Sequence, residues 1–142
     1  MRDRAPDSAL DAALSRVGDR WSLLVTEALL DGPRRFNELS TLVAGIAPNI
    51  LIDRLRRLER DGVIAAETYS TRPVRLSYQL TDDGRELAGV LRLLAAWGGR
   101  GSTNEGEALR HAVCGSALEA RWYCPTCART VDDDEASALR YV

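Results

Sequence analysis

The stretch from Gly32 to Gly84, GPRRFNELSTLVAGIAPNILIDRLRRLERDGVIAAETYSTRPVRLSYQLTDDG, constrains this chain more than any other. Its apolar spacing starts at a helical period and ends at a period of two. A short helix is predicted from Asn37, burying Leu39 and Leu42, and Ala44-Gly45 makes a tight turn with Ile46 closing over the core. A second helix is predicted from Pro48 to Arg60. Proline suits the first helical position, where its missing N–H has no intrahelical partner. Leu51, Leu55 and Leu58 form the inward stripe, which leaves Asn49, Ile52, Asp53, Arg56 and Arg57 mostly on other faces. Asp61-Gly62 stops it. Val63–Tyr69 and Val74–Leu80 then read as two strands around a Ser70–Pro73 turn that is tipped by Arg72-Pro73.

Further helices flank this block. Asp7 or Ser8 can cap a first helix carrying Leu10, Ala13, Leu14 and Val17, ended by Gly18. Asp19 caps a second, with Trp21, Leu24, Val25, Ala28 and Leu29, stopped by Asp31-Gly32-Pro33. After the strands, Thr81 with Asp82 and Asp83 starts a long helix whose stripe is Leu87, Val90, Leu91, Leu94 and Trp97. Gly98-Gly99-Arg100-Gly101 breaks it. The expected fold is mainly α with a small β-hairpin wing, a winged helix-turn-helix over residues 8–98. A linker over 99–109 and a small C-terminal Cys/His knuckle module over 110–142 complete the chain. No internal repeat or low-complexity tract is visible.

The second helix of such a motif fits the DNA major groove, and the wing can reach the flanking backbone. The net charge of −2 is concentrated unevenly: residues 33–75 hold eight Arg against five acids, whereas residues 101–142 hold four Arg against seven. Local field matters more than the total, and the positive share coincides with the helix-turn-helix. All 19 basic residues are Arg, which reads as coding bias rather than recognition chemistry. No apolar run has the length of a membrane helix, and the start lacks the apolar centre of a secretory signal, so a cytoplasmic location is expected.

Phosphate contacts set position, and contacts to base edges set sequence. Arg34 and Arg35 beside the short helix, with Arg72 and Arg75 in the wing, are the expected phosphate contacts. Asn49 can pair with adenine and Arg56 with guanine, and Ile52, Asp53 and Arg57 complete the candidate face. Arg54 sits beside the buried stripe, where a structural ion pair with Asp61 or Glu59 is an alternative to DNA contact.

The three Cys and the single His all fall within Arg110–Ala128. His111 and Cys114, then Cys124 and Cys127, form two pairs with three-residue spacing, enough for a closed tetrahedral Zn2+ site. Gly115 and Ala128 directly follow the second ligand of each pair and suit tight knuckle turns. A thiol switch at Cys124/Cys127, and three merely buried cysteines, remain the alternatives. A lone His beside these thiols leaves no catalytic Ser-His-Asp or Cys-His set, so no enzyme is expected.

The block Val17–Leu24 (VGDRWSLL), then Asp31–Leu39 (DGPRRFNEL), resembles the HxlR-type regulators. So do Gly45-Ile46-Ala47-Pro48, the Leu51, Arg54-Leu55 and Leu58-Glu59 positions, and Tyr78-Gln79-Leu80-Thr81 with Gly84. The likeness covers roughly Ala9–Gly99, and the family is related to the MarR-type regulators. It implies a homodimeric winged-helix transcription factor, paired through the helices around Leu10–Val17 and Leu87–Trp97. Many relatives carry an oxidant-sensing Cys ahead of the first helix. This chain has Pro6-Asp7-Ser8 there, so that mechanism does not transfer. Ala47 stands where relatives often have Ser, and Ile52 where a polar residue is common; Ile52 can touch a thymine methyl.

The resulting expectation is a sequence-specific regulator of double-stranded DNA, a repressor acting as a homodimer. Its recognition helix over about 48–60 enters the major groove, and its wing over about 69–75 lies on the flanking backbone. A small-molecule effector is a further expected partner. The alternatives are a zinc-module protein-interaction adaptor and a redox-responsive regulator using Cys124/Cys127.

Overall fold

The computed structural model describes residues 8–100 and 109–131. Three features read from the sequence lie outside the described residues: Asp7 as a cap, most of the linker (101–108), and the end of the knuckle module (132–142). The chain divides into two compact units, Met1–Leu91 and Arg92–Val142, with the division inside the last helix.

The first unit holds α1 (Ala9–Val17), α2 (Arg20–Ala28), β1 (Arg34–Arg35), α3 (Phe36–Leu42), α4 (Pro48–Arg60), β2 (Ile64–Thr71), β3 (Val74–Leu80) and the first part of α5 (Asp82–Gly99), whose remainder belongs to the second. Ser8 caps α1 by accepting the Asp11 N–H at 3.1 Å. Asp19 caps α2 more fully, accepting the N–H groups of Trp21 and Ser22 on Oδ1, both at 3.1 Å. The Asp19 Oδ2 atom takes the Ser22 hydroxyl at 2.6 Å. Pro48 opens α4, where Ala47 supplies no side-chain cap, and Asp61 closes it. Gly62 then takes φ +74° to turn the chain into the wing.

The core forms where helical stripes converge. Leu51, Leu55 and Leu58 of α4 are fully buried or nearly so, against Val25, Leu29, Leu39, Val43, Ile46, Val63, Ile64 and Leu80. The stripe read for α2 needs correction. Trp21 and Leu24 only flank the core, while Ser22 and Thr26 are fully buried. Each hydroxyl is satisfied locally, Ser22 by Asp19 and Thr26 by the Ser22 carbonyl at 2.8 Å, so burial leaves no orphan donor.

The wing is a three-stranded antiparallel sheet in the order β1-β3-β2. The strand β1 was not expected. Its two arginines lack apolar alternation, and it exists through pairing of Arg34 with Tyr78 and Arg35 with Ser77. Alternation along β3 buries only its base: Leu80 is 5% exposed, whereas Val74 at the tip is 70% exposed. A bulge between Thr68 and Ser70 interrupts the β2–β3 register, and the Arg72-Pro73 peptide at the tip is cis.

The start of α5 is fastened to the wing base. The Thr81 hydroxyl donates to the Gly62 carbonyl at 2.6 Å and accepts the Gly84 N–H at 3.0 Å. A Cβ on Gly84 would meet the Val63 carbonyl oxygen at 2.0 Å, so only glycine permits this approach. At the far end the helix ends at Gly99, inside the Gly98-Gly99-Arg100-Gly101 stretch read as its stop. No helix among the described residues is long and apolar enough to cross a membrane.

The described part of the second unit beyond α5 comprises a bridge between Arg110 and Ala117, and the strands β4 (Trp122–Cys124) and β5 (Arg129–Val131), which pair antiparallel.

Candidate nucleic-acid interface

The helix α4 sets the site, because its leucine stripe fixes which side chains point away from the core. Asn49, Ile52, Asp53, Arg56 and Arg60 are exposed, whereas Arg54 and Arg57 are half-buried. The half-buried pair have structural partners. Arg54 Nε lies 3.0 Å from Asp19 Oδ1. Its N–H makes no hydrogen bond, so this contact is an ion pair by proximity alone. Arg54 Nη1 reaches Asp53 at 2.9 Å. Arg54 is thus a structural cation, as one sequence reading had it, but its partners are Asp19 and Asp53 rather than Asp61 or Glu59.

Arg57 also turns inward. Its Nη2 donates to the Ser15 carbonyl of α1 at 2.6 Å, and Nε lies 3.9 Å from Asp61. Arg16 mirrors it, donating to the Asp61 carbonyl at 2.8 Å and pairing with Asp83. These contacts clamp α1 to the C-terminal end of α4 and to the start of α5. The guanidinium of Arg57 is therefore committed to this clamp, which removes it from the candidate contact set.

Asp19 shows how the α2–α4 junction is tuned. Burial raises its pKa, but the Ser22 hydroxyl and N–H, the Arg54 charge and the Trp21 N–H outweigh that effect and hold it below 3.8. The carboxylate stays ionised and keeps both its cap and its cation.

The wing, the start of α3 and Ile52 of α4 border an open cleft of about 640 Å³, lined among others by Arg35, Glu38, Ile52, Tyr69, Arg75 and Tyr78. Residues far apart in sequence meet here because β1 pairs with β3 and β3 with β2. The bulge leaves Tyr69 without a cross-strand partner, and its ring sits under the Arg35 guanidinium at 4.4 Å. A bulge re-aims side chains in this way, and the ring face holds the cation in place. Tyr69 was missed in the sequence reading, since no spacing rule links position 69 to position 35. Tyr78 lies deeper; its pKa is raised by burial and by Glu59, with Arg56 opposing.

Arg35, Ile52 and Arg75 are thus brought to one cleft. Asn49, Asp53 and Arg56 lie along the same helix, and Arg72 sits exposed at the wing tip. Arg34 stands apart. It is half-buried, its Nε has no hydrogen-bond partner, and it lines a separate cleft of about 420 Å³ with Arg20, Leu24 and Glu27. Among the described residues, no carboxylate forms an ion pair with Arg35, Arg56, Arg72 or Arg75. Their guanidinium groups remain available to phosphate or to base edges.

In the tail, His111 Nδ1 lies 3.3 Å from Cys114 Sγ. The Ser116 hydroxyl and N–H, with His111, bring the Cys114 thiol down to about 7. Bonds from the Cys127 N–H and thiol and from the Thr126 N–H, with the Arg129 charge, lower Cys124, and Cys127 is raised in turn by its bond with Cys124. The four groups do not form one cluster: no group of three or more His, Cys, Asp or Glu among the described residues is placed to hold a metal.

An arginine-bearing helix on a helix-turn-helix, with a cationic wing beside it, defines a DNA-binding winged helix. The HxlR-like helix-turn-helix family matches residues 16–107, and the chain belongs to that family. It is a DNA-binding transcriptional regulator of HxlR/MarR type, from a family of regulators rather than enzymes. Over 98 residues it is 35% identical to the HTH-type transcriptional regulator YtcD of Bacillus subtilis (strain 168), covering 69% of this chain and 78% of that protein. It is 34% identical over 134 residues to the HTH-type transcriptional regulator Rv3095 of Mycobacterium tuberculosis, covering 92% of this chain and 84% of that protein. A solved structure described as a transcription factor, PA1374 from Pseudomonas aeruginosa, superposes with a TM-score of 0.65 at 35% identity, covering 84% of this chain and 83% of that one.

Proposed function

We propose that the chain is a cytoplasmic, homodimeric repressor of a specific duplex sequence. In this reading α4 enters the major groove, where Asn49, Ile52 and Arg56 read bases, and Arg35, Arg72 and Arg75 hold the flanking phosphates. The observation that carries it is the cleft shared by Ile52 of α4, Arg35 of β1 and Arg75 of the wing, with both cations free of carboxylate partners among the described residues.

The dimer has separate support. Leu10 and Leu14 of α1 are 68% and 52% exposed, although their spacing is that of a packed stripe. On α5, Val90, Leu93, Leu94 and Trp97 are likewise exposed at helical spacing. Apolar surface of this extent on two helices is the expected surface for a second copy of the chain.

Selection of the full chain against a random duplex pool tests the proposal. The expected product is an inverted repeat whose half-site centres lie roughly 34–36 Å apart or a multiple of that. A pool without enrichment, or a lone half-site bound by one chain, overturns it.

A further inference from the structure

The tail is built from one unit used twice. In the first hairpin, the His111 N–H donates to the Ser116 carbonyl at 2.9 Å, and the Leu118 N–H to the Leu109 carbonyl at 2.7 Å, around the Arg110–Ala117 bridge. In the second, Cys124 pairs with Arg129, Tyr123 with Thr130 and Trp122 with Val131. Adding thirteen to each residue number of the first hairpin gives the second: 109/118 becomes 122/131, 110/117 becomes 123/130, and 111/116 becomes 124/129. The candidate donor side chains follow the same shift. His111 corresponds to Cys124, and Cys114 to Cys127.

The turns agree as well. Gly115 and Ala128, equivalent under the shift, have φ +72° and +51°, so each hairpin turns left-handed directly after its second donor. Ala128 is the only non-glycine residue at positive φ among the described residues. A left-handed turn after the donor frees N–H groups to point back at sulfur. Cys114 accepts from the Ser116 N–H, and Cys124 from the Thr126 and Cys127 N–H groups. The 3.3 Å separation of His111 Nδ1 and Cys114 Sγ is close to the edge of a tetrahedral zinc site. With Zn–N near 2.0 Å and Zn–S near 2.3 Å, that edge is about 3.5 Å.

The hairpins have no core of their own. Among residues 109–131 no side chain is buried, and Leu118, Trp122 and Tyr123 are 50%, 60% and 60% exposed. A fold of this size without a core needs another source of stability, and a structural metal is a common one.

We propose that one Zn2+ per chain joins the two hairpins, held by His111 through Nδ1 and by the sulfurs of Cys114, Cys124 and Cys127. Each hairpin supplies a prebuilt pair of donors, and the ion makes the bond between them. Any thiol proton still present on loading is released to solvent. Three thiolates around Zn2+ leave the site at −1. Arg110, which donates to the Gly115 carbonyl at 2.9 Å, and Arg129, whose charge acts on Cys124 and Cys127, lie beside it.

The test uses the untagged full chain prepared without chelator, titrated with Zn2+ against a chromophoric competitor and separately loaded with Co2+. The expected result is one ion per chain, an intense Co2+ spectrum of the tetrahedral thiolate type, and joint protection of all three thiols from alkylation. Cys114→Ser, Cys127→Ser and His111→Ala should each weaken Zn2+ binding by more than about 100-fold, since losing even an outer-shell partner costs 10–100-fold. Circular dichroism of each variant reports whether the winged helix is intact. Alkylation of the wild-type chain with and without Zn2+ gives the same answer without any variant. No bound ion, a Cys124–Cys127 disulfide with Cys114 left reactive, or wild-type affinity in Cys114→Ser would overturn the proposal.

Discussion

Replacing Asp19 with alanine tests how the recognition helix is held in place. The side chain caps α2 through three hydrogen bonds and lies 3.0 Å from the half-buried Arg54 of α4. Loss of an N-cap costs typically about 1 kcal/mol. Arg54 and Asp19 side chains are 22% and 29% exposed, so solvent screens their pairing only in part, and Arg54 keeps Asp53 as a second partner. The pairing then contributes about 1–2 kcal/mol, between the exposed and buried cases. The sum is about 2–3 kcal/mol, which for a domain of this size lowers Tm by roughly 8–24 °C. Asp19→Asn keeps a good cap and removes only the charge, so it should cost about half as much. The pH dependence has a fixed sign. Because the folded pKa is depressed, the contribution is complete above the unfolded value of 3.8 and is lost as pH falls through the lower folded value. Thermal and urea unfolding from pH 7 to pH 2 should show this acid loss in the wild type and a shallower one in Asp19→Ala. A change under about 0.5 kcal/mol in Asp19→Ala, or an equal cost for both substitutions, would refute the reasoning.

Arg72→Ala should weaken binding to all duplexes alike and make the log–log salt slope shallower by about 0.9 per protomer, as loss of one phosphate contact requires; an unchanged slope removes Arg72 from the interface. Asn49→Ala should relax one base position per half-site at a cost of about 1–3 kcal/mol, and repeating the duplex selection with the variant shows whether the preference survives. Gly84→Ala places a Cβ at 2.0 Å from the Val63 carbonyl oxygen and should destabilise the fold by at least about 1–3 kcal/mol, measured as a lower urea midpoint. Leu94→Glu, on the exposed face of α5, should abolish the proposed dimer in sedimentation; a variant with the same sedimentation as the wild type would count against pairing through α5.

The recognition helix was legible because each end and its buried face have a chemical signature. Pro48 starts it, the leucines at 51, 55 and 58 orient it, and Asp61-Gly62 stops it, and the observed bounds are Pro48–Arg60. Helix α1 was legible as a helix, but the exposure of Leu10 and Leu14 was not. Periodicity tells which face is apolar, and is silent on what covers it. The strand β1 and the Arg35–Tyr69 stack depend on pairing between distant segments, which leaves no local pattern at Arg34-Arg35. The inward turn of Arg57 was hidden for the same reason, since its acceptor is a backbone carbonyl 42 residues away. In the tail the donor spacing was visible, whereas the duplication was not. It is preserved in the backbone ladders while the side chains differ: His against Cys, Gly against Ala, and Ser against Arg.

The central claim is that the face formed by α4 and the wing grips the phosphates of a specific duplex. Affinity of the full chain for its selected duplex, measured from low to high salt beside a scrambled duplex, tests it most directly. The account predicts a steep linear fall of log K with log salt, close to 0.9 per neutralised phosphate, with the selected duplex tighter by about 10³-fold or more. A flat salt response, or equal affinity for both duplexes, would contradict it.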